Sequence, residues 1–227
     1  IMINEGSQAD GSRRAVLYDL DGTVVNTQKV IRTSLRYSTR HVLHTMIDDR
    51  RLMAKVGQPT EVEMRDFSQD EHQLTRLVED FRWCNTLVHD VFISGYPGME
   101  ELLGAVRELG MPQAIVTSKR RVGAQRSLRA LGLEGWFELL VCADDVTRPK
   151  PHPQPLEKAA RQLGVDVRRC LYVGDSPFDI QAGRAAGMAT VGVTWGMFPE
   201  EVAAEKPSKV VDTPLELAGF IRDWVAR

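Results

Sequence analysis

Residues 13–27, RRAVLYDLDGTVVNT, decide how the rest of the chain is read. An apolar run climbs from Ala15 to Tyr18. Asp19 follows, then a second carboxylate at Asp21, and Gly22-Thr23 closes the phrase. A short apolar run bounded by turn residues is the pattern of a buried strand. In an extended chain the side chains at i and i+2 share one side, so Asp19 and Asp21 can both face one place. Gly22 permits a sharp departure from the strand. A buried strand that ends by presenting two acids side by side implies that something at its end uses them.

Further along, from residue 95, the chain alternates with a short period. Helix-like segments at 98–110, 121–132, 155–164 and 178–187 precede the strand-like QAIVT (113–117), ELLVC (138–142), CLYVG (170–174) and ATVGV (189–193). Short apolar strands separated by single amphipathic helices predict βα units and an α/β fold with a doubly wound, mostly parallel sheet. AVLYD (15–19) is its first strand. Gly110, Gly132, Gly164 and Gly187 suit the C-terminal ends of the intervening helices. Residues 24–94 break this rhythm and contain no convincing strand. Apolar residues at 74, 77, 78, 81, 84, 87, 88, 91 and 92 mark one amphipathic helix; 28–46 carry a weaker stripe, and Gly57-Gln58-Pro59 separates helices. The expected organisation is a polar, disordered leader over 1–13, a core of 14–23 and 95–227, and an inserted helical cap over 24–94.

Composition excludes several functions. Of 227 residues, 43% are hydrophobic and 26% charged, and the net charge is −2, as in ordinary soluble domains. No basic arm marks a nucleic-acid partner. Arg120, Arg121, Arg126 and Arg129 read as a solvated helix face. No apolar run approaches the ~18–20 residues that span a bilayer. Cys84, Cys142 and Cys170 are far apart without a CxxC pair and read as reduced thiols of a cytoplasmic protein. The five histidines form no metal-binding spacing; His152 alone stands in a suggestive loop. Trp83, Trp136 and Trp224 read as core or domain contacts, and Trp195 as a residue near the cleft.

Ligands of an open α/β sheet bind beyond the carboxyl ends of its strands. Those ends carry Asp19 and Asp21, Thr117-Ser118-Lys119, and Asp175 with Asp179, while Lys150 sits in the loop RPKPHP. Carboxylates gathered in a partly desolvated cleft repel one another. A divalent cation would relieve that, and all-oxygen ligands suit Mg²⁺.

These residues also carry a family resemblance. Asp19-Leu20-Asp21-Gly22-Thr23, Thr117, Lys150-Pro151-His152-Pro153 and Gly174-Asp175-Ser176-Pro177-Phe178-Asp179 resemble, in order, the DxDGT, strand-end Ser/Thr, KPxP and GDxxxD motifs of the haloacid dehalogenase-like (HAD) phosphatase superfamily. The likeness covers nearly the whole chain from residue 15 and implies a Rossmann-like core with a helical cap. It implies Asp19 as the nucleophile that forms an aspartyl-phosphate and Asp21 as general acid and then base. Thr117 and Lys150 would hold the phosphoryl oxygens, with Ser118 either a further phosphate contact or plain loop. The Asp19 and Asp175 carboxylates and the Asp21 carbonyl would bind Mg²⁺, supported by Gly22, Thr23 and Asp179. The implied activity is a Mg²⁺-dependent hydrolase of small phosphorylated metabolites. YPGMEELL (96–103), IVTSK (115–119) and KPHPQPL (150–156) resemble phosphoglycolate phosphatases, whereas residues 85–98 lean toward the related bacterial pyrophosphatases. An inorganic pyrophosphatase and a sugar-phosphate phosphomutase are the alternatives. A dehalogenase is disfavoured because those relatives lack the second acid, and the motifs leave monomer and homodimer equally open.

Overall fold

The computed structural model describes residues 13–226. The expected leader therefore lies outside the described residues apart from Arg13. Six strands form one parallel sheet: β1 (Ala15–Tyr18), β4 (Gln113–Val116), β5 (Leu139–Val141), β6 (Cys170–Gly174), β7 (Ala189–Val193) and β8 (Lys209–Val211). Their spatial order is β5-β4-β1-β6-β7-β8, with β1 central and flanked in parallel by β4 and β6. The chain winds from β1 toward β5 and then returns to the other side. Two strands numbered β2 (Val25–Asn26) and β3 (Ser94–Gly95) pair antiparallel on their own.

The sheet is buried on both faces, which explains its nearly unbroken apolar strands. Val16, Tyr18, Ile115, Leu171 and Val173 point to one side, where they pack under α5 (Met99–Glu108), α6 (Arg121–Ala130) and α10 (Pro214–Val225). Ala15, Leu17, Ala114, Val116, Cys170 and Tyr172 alternate to the other side, under α7 (Gln154–Leu163) and α8 (Pro177–Ala186). The period-two alternation of strand side chains thus divides the core into two layers. Gly164 and Gly187 occupy the left-handed C-cap positions of α7 and α8, and Gly110 and Gly132 sit one place beyond those of α5 and α6. The remaining helix of this part is α9 (Pro199–Ala204).

Between β2 and β3 run α1 (Gln28–Leu43), α2 (Asp49–Met53), α3 (Thr60–Arg65) and α4 (Glu71–Phe92). They enclose a third apolar cluster, in which Ile31, Leu35 and Val42 of α1 meet Leu74, Leu77, Val78 and Phe81 of α4. Ser38 of α1 donates a hydrogen bond to the Leu77 carbonyl at 2.6 Å, tying the two long helices together. β2 and β3 form a short two-stranded neck where the chain leaves and re-enters the sheet.

Three expectations change here. The segment 24–94 is not free of strand, because Val25 and Asn26 near its start pair with Gly95 and Ser94 at its end through β2 and β3. The apolar stripe of α4 is buried only as far as Cys84; Leu87 and Val91 are exposed, the buried side chain near the end of α4 is His89, and Phe92 meets α1 through the Lys29 ammonium over its ring at 4.0 Å. Trp83 is 54% exposed and leans on Tyr37 at 5.2 Å between ring centroids, so it is no core residue. Trp136 and Trp224 are partly buried and carry Arg107 and Arg14 on their ring faces. Among the described residues, no helix is long and apolar enough to cross a membrane. All three cysteines are free and buried.

Candidate active site

Beyond the carboxyl ends of β1, β4 and β6 stand Asp19, Thr117 and Asp175, each one residue past its strand. The parallel register of these neighbouring strands puts their ends side by side, so residues far apart in sequence converge. Asp19 is 3% exposed, and its main-chain N–H is anchored to the Val173 carbonyl at 2.8 Å. Lys150, 2% exposed, reaches in from the loop after β5. Its ammonium donates to Asp19 Oδ1 at 2.8 Å, to Asp179 Oδ1 at 2.6 Å and to the Tyr172 hydroxyl at 3.0 Å. The Tyr172 hydroxyl in turn donates to the Val116 carbonyl at 2.9 Å. All three donor positions of the ammonium are therefore used.

Asp175 is held by Thr23 Oγ1 at 3.1 Å and by the main-chain N–H of Met197 at 2.7 Å. Gly22 passes so close that a Cβ there would stand 2.1 Å from Asp175 Oδ2, and its φ of +90° favours glycine independently. Asp179 is completely buried in the first turn of α8 and accepts at Oδ2 from the Ser176 N–H at 3.0 Å and its hydroxyl at 2.6 Å. It thus forms a capping box with Ser176 and, through Oδ1, orients Lys150.

Carboxylate oxygens of Asp19, Asp175 and Asp179 lie within 4.8 Å of one another. Burial pushes the Asp19 carboxyl up to about 7; Lys150 opposes this, and Asp179 and Asp21 add to it. Burial likewise drives Asp175 well above the carboxylate range, with Asp19 and Asp179 reinforcing it and the Met197 and Thr23 donors acting against it. Burial disfavours the Lys150 ammonium, yet Asp179 and Asp19 outweigh that and hold its pKa above the ordinary lysine value. One ammonium among three buried carboxylates leaves an excess of negative charge. That excess and the oxygen-only donor set fit a bound metal cation.

Asp21 lies at the open side of this cluster, where it accepts from Thr27 Oγ1 and from Lys119 Nζ, both at 2.7 Å. Thr117 is buried, and its hydroxyl accepts from the Lys119 N–H at 3.1 Å. The Ser118 hydroxyl is one of two buried side-chain polar atoms without a hydrogen-bond partner among the described residues. Asp19, Asp21, Thr117 and Ser118 form the floor of a cleft of about 450 Å³, roofed by Gly57, Gln58, Glu63, Asn85 and other residues of the helical segment. A Cβ on Gly57 would stand 3.0 Å from Ser176 Oγ, which measures how closely this roof approaches the strand ends.

Several contributors escape sequence reasoning. Lys119, which the sequence places at the strand end as either a phosphate contact or plain loop, is an ion-pair partner of Asp21 at 2.7 Å. Arg120 and Arg126 border the cleft instead of lying on a purely solvated face, and Arg126 forms a two-pronged pair with Asp90 of α4 at 2.8 and 3.1 Å. His89, and not His152, is the buried histidine at the cleft; its ring nitrogens meet Ser127 Oγ at 2.9 Å and Asp90 Oδ1 at 2.6 Å. His152 only accepts from the Gln154 N–H within its own loop. Trp195 stands outside the cleft and donates to the Thr23 carbonyl at 3.0 Å, bracing the turn that carries Asp21. Glu63 was unmarked in sequence, since one acid in a short polar helix resembles any solvated residue.

Known proteins match this arrangement. The haloacid dehalogenase-like hydrolase profile matches residues 16–193, from β1 through β7. Pyrophosphatase PpaX of Bacillus pumilus is 34% identical over 187 residues, covering 82% of this chain and 85% of its own. Pyrophosphatase PpaX of Bacillus cereus is 33% identical over 211 residues, covering 92% and 96%. A crystal structure of a predicted phosphoglycolate phosphatase from Haemophilus somnus superposes with a TM-score of 0.84 at 25% identity, covering 92% of this chain and 98% of that one. The sheet order, the acids past β1 and β6 and the extent of these matches converge on one assignment: the chain is an enzyme of the haloacid dehalogenase-like hydrolase family.

Proposed function

We propose that this enzyme is a Mg²⁺-dependent phosphatase of small phosphorylated metabolites, acting through an aspartyl-phosphate, with phosphoglycolate phosphatase-like chemistry. The observation that carries the reading is the position of Asp19. It is buried past the central strand, bonded to Lys150, and opens onto a cleft that Asp21 also lines.

Asp19 attacks phosphorus; as that P–O bond forms, the bond to the leaving oxygen breaks. Asp21 gives its proton to the leaving oxygen. It then takes a proton from water, which attacks the phosphorus, releases inorganic phosphate and restores the Asp19 carboxylate. Dividing one displacement into two is the advantage of covalent catalysis, and a positioned acid–base group contributes ~10²–10⁴-fold. Thr117 and Ser118 hold the phosphoryl oxygens, the unpaired Ser118 hydroxyl being suited to such an acceptor, and Lys150 joins them by exchanging its bond to Asp19 Oδ1 as that carboxylate attacks. Lys119 steadies Asp21 at the mouth of the site. Asp19, Asp175 and the Asp21 main-chain carbonyl would hold Mg²⁺, whose charge offsets that of phosphate and carboxylates together. Asp179 orients Lys150, while Gly22 and Thr23 shape the turn and fix Asp175. Residues 24–94 serve as a cap on a core of 14–23 and 95–227, excluding water and bulky substrates such as phosphoproteins. No basic surface for nucleic acid enters this reading. The reduced, buried cysteines suit a cytoplasmic enzyme.

A second reading, inorganic pyrophosphatase, is favoured by the names of the Bacillus relatives. The test measures phosphate released from p-nitrophenyl phosphate, phosphoglycolate and pyrophosphate, with Mg²⁺ and with excess chelator. Mg²⁺-dependent release that Asp19→Asn abolishes is expected. Undiminished turnover in chelator would contradict the reading.

A further inference from the structure

The cap's contribution to the cleft has an uneven charge. Among the described lining residues, every cation already faces a carboxylate. Arg82 pairs with Glu61, Arg126 with Asp90 at 2.8 Å, Arg120 with Asp144 at 3.7 Å, and Lys119 with Asp21 at 2.7 Å. Glu63 of α3 is the exception on the acidic side. It is 6% exposed and lines the cleft within the electrostatic reach of Asp21, with the Gly57 main chain beside it and no cation paired to it among the described residues. Burying a carboxyl without a cation is costly unless its remaining hydrogen-bonding capacity is used. A leaving group carrying a second anion would find at the cap no cation that is not already engaged, and would lie beside this carboxyl.

Building on the phosphatase reading, we propose that Glu63 determines the class of leaving group. The preferred substrate is the phosphate ester of an alcohol that brings a hydroxyl or ammonium hydrogen to the Glu63 carboxyl and has no anion of its own. Burial, then the charge of Asp21, favours the acid form of Glu63, with the Gly57 N–H opposing and Glu61 adding to it. A protonated carboxyl can both donate to and accept from a hydroxyl; a carboxylate suits an ammonium. Either state disfavours a second anionic group. Phosphoglycolate and pyrophosphate, the substrates suggested by the relatives' names, should therefore be poor substrates for this chain.

Three phosphate esters of nearly equal size separate these chemistries: phosphoglycolate with a carboxylate, 2-hydroxyethyl phosphate with a hydroxyl, and phosphoethanolamine with an ammonium. The experiment measures kcat/KM for each with the full chain and Mg²⁺, using p-nitrophenyl phosphate as a generic ester. Either the hydroxyl or the ammonium ester should exceed phosphoglycolate by about tenfold or more, as expected where a buried polar group must be satisfied. The better of those two identifies the donor. Glu63→Leu should reduce that ratio toward one, Glu63→Gln should keep the hydroxyl preference, and Glu63→Lys should shift preference toward phosphoglycolate. Circular dichroism melts establish that each variant is folded; should Glu63→Lys fail to fold, Glu63→Leu and Glu63→Gln still decide the matter. Phosphoglycolate leading in the wild type, or a ratio that neither Glu63→Leu nor Glu63→Gln moves, would overturn the role of Glu63 and leave the phosphatase reading standing. No phosphate released from any of the four esters would overturn the phosphatase reading itself, and this proposal with it.

Discussion

Lys150→Met tests the electrostatic design of the site most sharply. The substitution keeps much of the side-chain volume and removes the ammonium that Asp19 and Asp179 share at 2.8 and 2.6 Å. Both carboxylates are nearly or wholly buried, so neither can recover its loss from water. Removing one partner of a buried charge pair costs about 3–5 kcal/mol. At roughly 2–4 °C of Tm per kcal/mol for a domain of this size, the predicted drop is about 6–20 °C. Asp19 should also protonate more readily than its value of about 7 implies, because Lys150 is the main influence holding it down. Thermal unfolding followed by circular dichroism, in chelator so that no bound metal contributes, gives the first number. The double variant Lys150→Met/Asp179→Asn supplies the control. Removing the stranded Asp179 charge should make the double variant more stable than the sum of the single losses, with a coupling of about 0.5–3 kcal/mol. A Lys150→Met melt within about 1 °C of wild type, or strictly additive losses, would refute the reasoning.

Two further perturbations follow from single contacts. Gly196→Ala would place a Cβ 2.2 Å from Asp175 Cβ; displacing that carboxylate should weaken Mg²⁺ affinity about 10–100-fold in titrations of activity against metal, and an unchanged midpoint would contradict the placement of Asp175. His89 is held below the ordinary histidine value of 6.5, by burial first and by Lys119 and Arg126, against the attraction of Asp90. The unfolded chain therefore takes up this proton before the folded one, so His89's contribution is fully present above about pH 6.5 and declines as pH falls toward its folded pKa. His89→Gln should lose less stability than wild type between pH 7 and 5 in parallel melts; equal slopes would remove His89 as a source of that dependence.

The strand ends were legible because each of the main strands is a short, strongly apolar run, and β1, β4 and β6, which carry the site, are followed at once by a polar residue. Burial on both faces demands the first feature and the strand-end cleft the second. That logic located β1, β4, β5, β6 and β7 within about a residue. It missed β8, whose three residues begin with an exposed lysine at the sheet edge, where the demand for apolar side chains lapses. It missed β2 and β3, two residues each, because their pairing is set by the neck that closes around the helical segment rather than by local pattern. Asp19, Asp21, Thr117, Lys150 and Asp175 could be named from motif order. The cap's share of the cleft could not. Glu63, His89 and the Arg126–Asp90 pair acquire meaning only when α3 and α4 are laid against the core, and periodicity carries no information about that docking. Leu87 and Val91 teach the converse: a stripe at helical spacing predicts a helix face, but only a facing partner buries it.

The account rests on Asp19 as the residue that carries phosphate and Asp21 as the residue that moves the proton, and the two separate in the Asp21→Asn variant. That variant retains the nucleophile but cannot activate water, so an activated ester such as p-nitrophenyl phosphate should phosphorylate it faster than the intermediate is lost. Rapid-quench labelling with a radiolabelled activated ester, followed by hydroxylamine treatment and peptide mapping, should find an acyl-phosphate accumulated on residue 19 in Asp21→Asn and none in Asp19→Asn. Label retained by Asp19→Asn and absent from Asp21→Asn would contradict the assignment of both acids.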